Sequence, residues 1–231
     1  MKAPLILAPI ADGLWHSEHD LFLPGGVHFR TRMVVMATGG DSRTPDLTLY
    51  GSVPMDAAHD AGLRALGNVT RIVAPNSFHH LYAGPAREQF AAAEFFITPA
   101  LQKKRASLRG NVIQPGAEPR FGAVQGLVLG GMPKLDELVM FHGASGTLLV
   151  TDLVFNILEY KGWQAGVMFR LVGAHKKLAQ SRMLKAVVRD RAAMASSLER
   201  LFSWDFDRVV MAHGDMVAQG GKDKLAALLR P

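Results

Sequence analysis

The chain alternates between short apolar runs and stretches whose apolar residues recur every three or four positions, and this predicts strands and helices in layers. Over residues 26–37, GVHFRTRMVVMA first alternates polar with apolar and then turns continuously apolar, as a strand does on passing from an exposed sheet edge into a core. TGGDSRTPD is turn chemistry, LTLYGSV a further short strand, and MDAAHDAGLRAL over 55–66 has helical spacing. A strand over 69–74 then leads into RIVAPNSFHHLYAG, residues 71–84, which begins as a strand and ends as a helix, with His79 and His80 at the junction. Residues 85–93 read as a helix, EFFIT as a strand, and PALQKKRASL as a helix with Pro in its first turn. Three strands follow, AVQGLVLGG, ELVMFHG and GTLLVTDLVFN, the last two joined by a tight turn over 143–146. Residues 156–185 are mixed, 187–202 read as an amphipathic helix, WDFDRVVMAHGD is a last apolar strand ending in His213, and a Gly-rich turn with a short helix closes the chain. The first thirteen residues, MKAPLILAPIADG, read as an opening strand, because two prolines interrupt a run already short for a signal sequence.

Composition narrows this α/β pattern. A chain of 231 residues, 48% hydrophobic and 20% charged, has material for one folded domain over 1–231 and not for a disordered one. No stretch approaches the roughly 18 uninterrupted apolar residues that span a bilayer, so a soluble, cytoplasmic protein is expected. Without cysteine there is neither a disulfide nor a thiolate ligand, and any metal must be held by His, Asp or Glu. The net charge of +6 is concentrated in residues 161–191, where eight Lys or Arg stand against one Asp. Such a segment can face an anionic partner, but a solvated helical face is the default reading, and few aromatics are interleaved for stacking nucleic-acid bases. The Gly-Gly pairs at 25–26, 39–40 and 220–221 build no phosphate loop, and GASGT joins two strands where a nucleophilic serine elbow needs a strand and a helix.

The remaining polar residues of interest recur at one kind of place. His79 and His80 follow one strand, Asp152 directly follows LLVT, and His213 directly follows VVMA, each expected at the last, solvent-facing position of its strand. Loops beyond strand ends are where sites assemble in layered α/β folds. A single strand-end histidine is more often a capping or hydrogen-bonded residue; three imidazoles with one carboxylate form a set that suits zinc, iron or manganese. His142 is read as a turn histidine that could lie near the site, Asp215 as a turn cap or a partner that orients His213, and Lys103, Lys104 and Arg105 as surface charge. His16, His19 and His28 fall in a hairpin-like region with no ligand spacing, and residues 162–175, with Trp163, Met168 and Phe169, could form an amphipathic lid or a lipid-facing patch, with core packing the default.

The order strand, His-rich turn, strand–Asp and final strand–His-Gly resembles the metallo-β-lactamase superfamily over residues 27–215. More narrowly, APNSFHHLYAG, GTLLVTDLVFN and FDRVVMAHGD resemble a divergent branch in which Pro-Asn-x-x-His-His replaces the usual His-x-His-x-Asp-His. The resemblance implies a four-layer αβ/βα sandwich with the site at the seam of its two sheets. Pro75 and Ser77 fall where the first two histidines of the motif belong, and Met132 or Pro133 stands nearest a third, so the ligands of one metal are missing. The second set survives: His79 on the motif's aspartate, His80 on its last histidine, with Asp152 and His213. The resemblance therefore implies one divalent metal, zinc first and iron or manganese next, held by His79, His80, Asp152 and His213, with Asp152 and His79 also in catalytic roles. The implied activity is hydrolysis of a small-molecule ester, lactone, amide or thioester. A scaffold or binding protein that has lost the two-metal site is the alternative.

Overall fold

The apolar run MVVM, residues 33–36, is buried on both sides because its strand lies between two cores. Met33 and Val35 face a core shared with helices, whereas Val34 and Met36 face one shared with a second sheet. The structure, a computed structural model, describes residues 6–24 and 26–229; the start of the expected opening strand at 1–5 and Gly25 lie outside the described residues.

The first sheet has seven strands in sequential order: β1 (Ala8–Ala11), β2 (Leu14–Leu23), β3 (Val27–Gly40), β4 (Pro45–Tyr50), β5 (Asn68–Val73), β6 (Glu94–Ile97) and β7 (Asn111–Val112). β1 to β4 are antiparallel and β4 to β7 parallel. The parallel half needs crossovers, supplied by helices α1 (Ala57–Leu66), α2 (Ala83–Gln89) and α3 (Pro99–Lys104). Asp56 caps α1, accepting from the backbone of Ala58 and His59, and Pro99 opens α3 in a position that needs no N–H.

The second sheet adds β8 (Arg120–Phe121), β9 (Val124–Val128), β10 (Leu138–His142), β11 (Thr147–Val150) and β14 (Arg208–Met211), in the order β14-β11-β10-β9-β8. Between β11 and β14 run the small pair β12 (Phe155–Asn156) and β13 (Leu178–Ala179), with α4 (Trp163–Leu171), α5 (Arg182–Val187) and α6 (Arg191–Ser203); α7 (Gly221–Leu229) follows. The helix expected over 187–202 begins four residues later, where the Asp190 side chain accepts from Ala193 N and supplies the cap.

The inner faces of the sheets meet in one core, with Leu14, Val34, Tyr50 and Val73 against Val128, Met140, Leu149 and Val210. Helices cover both outer faces, α1 to α3 on the first sheet and α5 to α7 on the second. This is the expected four-layer sandwich. Tyr50 ties the layers together by donating its buried hydroxyl across the interface to the Leu138 carbonyl at 2.7 Å. Burial, and then the charge of Glu137, push the phenol's pKa well above its ordinary value, so it remains a donor.

Candidate metal centre

β11 and β14 are parallel neighbours, so their C-terminal ends open at one edge of the second sheet, and β5 of the first sheet ends beside them. Just past these ends, His79 Nε2 lies 3.0 Å from His213 Nε2 and 3.3 Å from Asp152 Oδ2, and His213 Nε2 lies 3.7 Å from Asp152 Oδ1. The three donor atoms fall within 4.8 Å of one another, a group that could hold a metal ion. Atoms bound at about 2.0–2.2 Å to one tetrahedral centre stand at comparable separations. The expectation that Asp152 and His213 face solvent is corrected: they are 6% and 4% exposed. The first half of β3 and the β12–α4 segment roof the strand ends, with the Phe29 and Phe155 rings 4.0 and 5.5 Å from that of His213.

The side chains of His213 and Asp152 are held from behind, and His79 is positioned through its backbone. His213 Nδ1 donates to the Arg30 carbonyl at 2.8 Å, which leaves the Nε2 lone pair facing the site. That orienting role was one of two expected of Asp215, the other being a turn cap; its carboxylate lies instead 3.6 Å from the Arg30 guanidinium. Buried Arg32 pins the turn after β14 by donating to the carbonyls of Met211 and Gly214, and Glu18 pairs with it. Gly214 has φ +89°, and a Cβ there would stand 2.2 Å from the Asn156 carbonyl, so the residue after His213 must be glycine.

Asn76, which sequence reasoning passed over, organises two of the three donors. Fully buried, it donates through Nδ2 to Asp152 Oδ2 at 2.7 Å and Thr151 Oγ1 at 2.8 Å. Its Oδ1 accepts from Phe78 N at 2.8 Å and His79 N at 3.0 Å, an Asx turn that ends the strand and aims His79. The available signal was Pro-Asn at a strand-to-helix junction. Glu137 was also missed: fully buried, it accepts from Thr151 N at 2.7 Å and Asp152 N at 3.1 Å. Nothing local in KLDELVM distinguishes it from a surface acid.

Burial raises the pKa of the Asp152 carboxyl, but the charge and hydrogen bond of His79, the charge of His213 and the Asn76 amide outweigh it and hold it at about 2. Burial first, and His79 next, bring His213 down to about 3. Burial, together with the charge of Asp152, pushes Glu137 up to about 7. A carboxylate anion beside a neutral imidazole is the protonation state that metal ligation requires.

His80 stands outside the group of three. It is 8% exposed, its Nδ1 donates to the Phe78 carbonyl at 3.1 Å, and its Nε2 is buried without a hydrogen-bond partner among the described residues. Burial, before the charges of Lys104 and Arg105, lowers its pKa and favours a neutral ring. The three residues expected at the missing ligand positions are engaged elsewhere: Ser77 Oγ donates to the Lys134 carbonyl, the Pro75 carbonyl accepts from Leu138 N, and Met132 lies in the core of the second sheet. Lys104 donates to the Ser77 carbonyl and sits over the Phe78 ring. His142 bonds Ser145 opposite Thr147, at the end of the sheet away from Asp152. His28 pairs with Asp20, His16 lies 3.9 Å from Glu18, and His19 packs on Tyr82.

The three donors open into a cavity of about 440 Å³ whose walls are mainly apolar, with Leu21, Leu23, Phe29, Phe155, Met168 and Phe169 among them; His80 also lines it. Among the described residues, no Lys, Arg or Glu side chain lines it.

No family model and no curated protein matches the sequence. Solved structures do match. A metallo-β-lactamase from Hirschia baltica is 14% identical with a TM-score of 0.66, the match covering 99% of each chain. A metallo-β-lactamase from Erythrobacter litoralis, with β-mercaptoethanol in its active site, is 13% identical with a TM-score of 0.67 over 99% of this chain and 97% of that one. The metallo-β-lactamase FIM-1 from Pseudomonas aeruginosa, in a mono-zinc form, is 10% identical with a TM-score of 0.64 over 97% and 94%. The chain therefore has the metallo-β-lactamase fold. At such identities the likeness is one of fold, and no helix among the described residues is long and apolar enough to cross a membrane.

Proposed function

We propose that the protein is a metal-dependent hydrolase of a small-molecule ester, lactone, amide or thioester, working with one divalent ion held by His79, Asp152 and His213, with His80 as the fourth donor. The reading is carried by the convergence of two imidazole nitrogens and a carboxylate at the mouth of an apolar cavity, with His213 and Asp152 held from behind. Bound there, zinc, or iron or manganese on the same donors, would supply Lewis acidity toward a water and a substrate carbonyl. Asp152 contributes the negative charge that balances such an ion, and Glu137 fixes its backbone from beneath. The apolar wall excludes bulk water around the reacting carbonyl and strengthens the electrostatics within. With its Nε2 on the ion, His79 has no lone pair left there to accept from a water, so its role is narrower than that of the aspartate it stands for.

The second reading, a scaffold without hydrolysis, is favoured by one observation: Pro75, Ser77 and Met132 are committed to backbone bonds and packing, leaving no ligands for a second ion. Turnover of p-nitrophenyl esters, acyl thioesters and lactones by zinc-reconstituted protein decides between them. Hydrolysis that falls in Asp152→Asn by more than the roughly 10–100-fold cost of losing an outer partner of a metal ligand supports the hydrolase. Rates no higher than those of the variant across the panel leave the scaffold.

A further inference from the structure

The helix α4 is apolar on two sides, and the site accounts for only one of them. Met168 and Phe169 point inward and line the cavity. On the outer side Trp163, Val167 and Leu171 are 75%, 46% and 69% exposed. Their spacing of four residues places them in one stripe along the helix. The surrounding charge has a single sign: Lys161, Arg170, Lys176, Lys177, Arg182 and Lys185 are all exposed, and no acidic residue occurs between positions 161 and 185. Among the described residues only Lys161 of these six has an acidic partner, Asp20 at 2.9 Å. An apolar stripe that includes a tryptophan, set among uncompensated cations, is the pattern of a helix lying in a lipid interface.

We propose that the outer face of α4 docks on an anionic lipid surface. A lipid surface answers both halves of the pattern, taking the stripe into its acyl boundary while its headgroups pair with the cations. Nucleic acid would use the cations and leave the stripe in water. A second copy of this chain, itself at +6, would bring like charge against the same cations. Docking in this way sets the inner wall of α4, and with it the cavity, directly behind the lipid boundary. If the cavity is a substrate pocket, an amphiphile can enter it from the lipid; the docking itself uses neither the metal nor the hydrolase reading.

Cosedimentation of the full chain with vesicles of phosphatidylcholine alone, or of phosphatidylcholine mixed with phosphatidylglycerol, tests this. The expected result is binding to the mixed vesicles, weakened by salt, with a blue shift of tryptophan emission that disappears in Trp163→Phe. Trp163→Glu with Leu171→Glu abolishes it, while Lys177→Gln and Lys185→Gln weaken it by about fivefold each. All four positions are exposed, and unchanged near-ultraviolet dichroism verifies the fold of each variant. No binding to the mixed vesicles, equal binding to both kinds, or binding that survives the double glutamate variant overturns the proposal. Self-association that the same double variant abolishes also overturns it, assigning the stripe to a second copy.

Discussion

Asn76→Ala is expected to lower the unfolding free energy by about 3 kcal/mol, since it strands several buried partners that each cost about 1–3 kcal/mol when left unsatisfied. The truncated side chain leaves Asp152 Oδ2, Thr151 Oγ1 and the amides of Phe78 and His79 without the bonds they make to it. Two donors of the centre lose their support at once, so metal affinity should fall by about 10–100-fold as well. Urea unfolding and competition with a chromogenic chelator read the two effects separately. Asn76→Asp divides the role of Asn76 further. It keeps the cap on Phe78 and His79 but turns the amide donor into a carboxylate against Asp152, so it should lose metal affinity while keeping more of the turn.

Glu137→Gln is expected to change how stability depends on pH in the metal-free protein. Glu137 has its pKa raised from 4.5 to about 7, so its contribution to stability is fully present below pH 4.5 and is lost as pH rises through about 7. His213 is lowered from 6.5 to about 3, so its contribution is present above pH 6.5 and is lost as pH falls through about 3. Asp152, lowered from 3.8 to about 2, adds a loss confined to stronger acid. Between pH 4.5 and 6.5 the slopes of Glu137 and His213 have opposite sign and offset each other. The variant loses the opposing Glu137 slope and keeps that of His213, to which the lowered His80 adds in the same direction, so its stability should rise with pH through this window. Relative to wild type, the gain between pH 4.5 and 7 is on the order of 3 kcal/mol. A pH-independent cost of about 1–3 kcal/mol accompanies it, because the glutamine amide meets one of the two backbone N–H groups that the carboxylate accepts. Urea denaturation at pH 5 and pH 8 checks this; a constant offset between the two proteins would place the titration elsewhere.

Much of this arrangement was legible in the sequence because strand ends announce themselves locally. LLVT-Asp and VVMA-His each place a polar residue directly after an apolar strand, and both strands form in one sheet, side by side and parallel. The continuous MVVM run was readable as core, although not as the meeting point of two cores. What stayed hidden depends on partners far apart along the chain. Asn76 reaches Asp152 across 76 positions, and Arg32 reaches Met211 across 179. Local periodicity does not encode such pairs. β2 carries the unbroken polar run His16 to Asp20 and looks like surface, yet it pairs with β3 along its whole length and contributes Leu21 and Leu23 to the cavity. Asp152 and His213 were expected in solvent because the roof over them comes from β3 and from the segment between β11 and β14, whose fold a strand-by-strand reading does not place.

The central claim is that His79, Asp152 and His213 form a single metal centre. Its most direct measurement is the metal content of protein expressed in metal-replete medium and purified without chelator, alongside Asp152→Asn and His213→Ala. The account predicts one divalent ion per chain in the wild type and none retained by either variant. A metal-free wild type, two ions per chain, or full retention in both variants would contradict it.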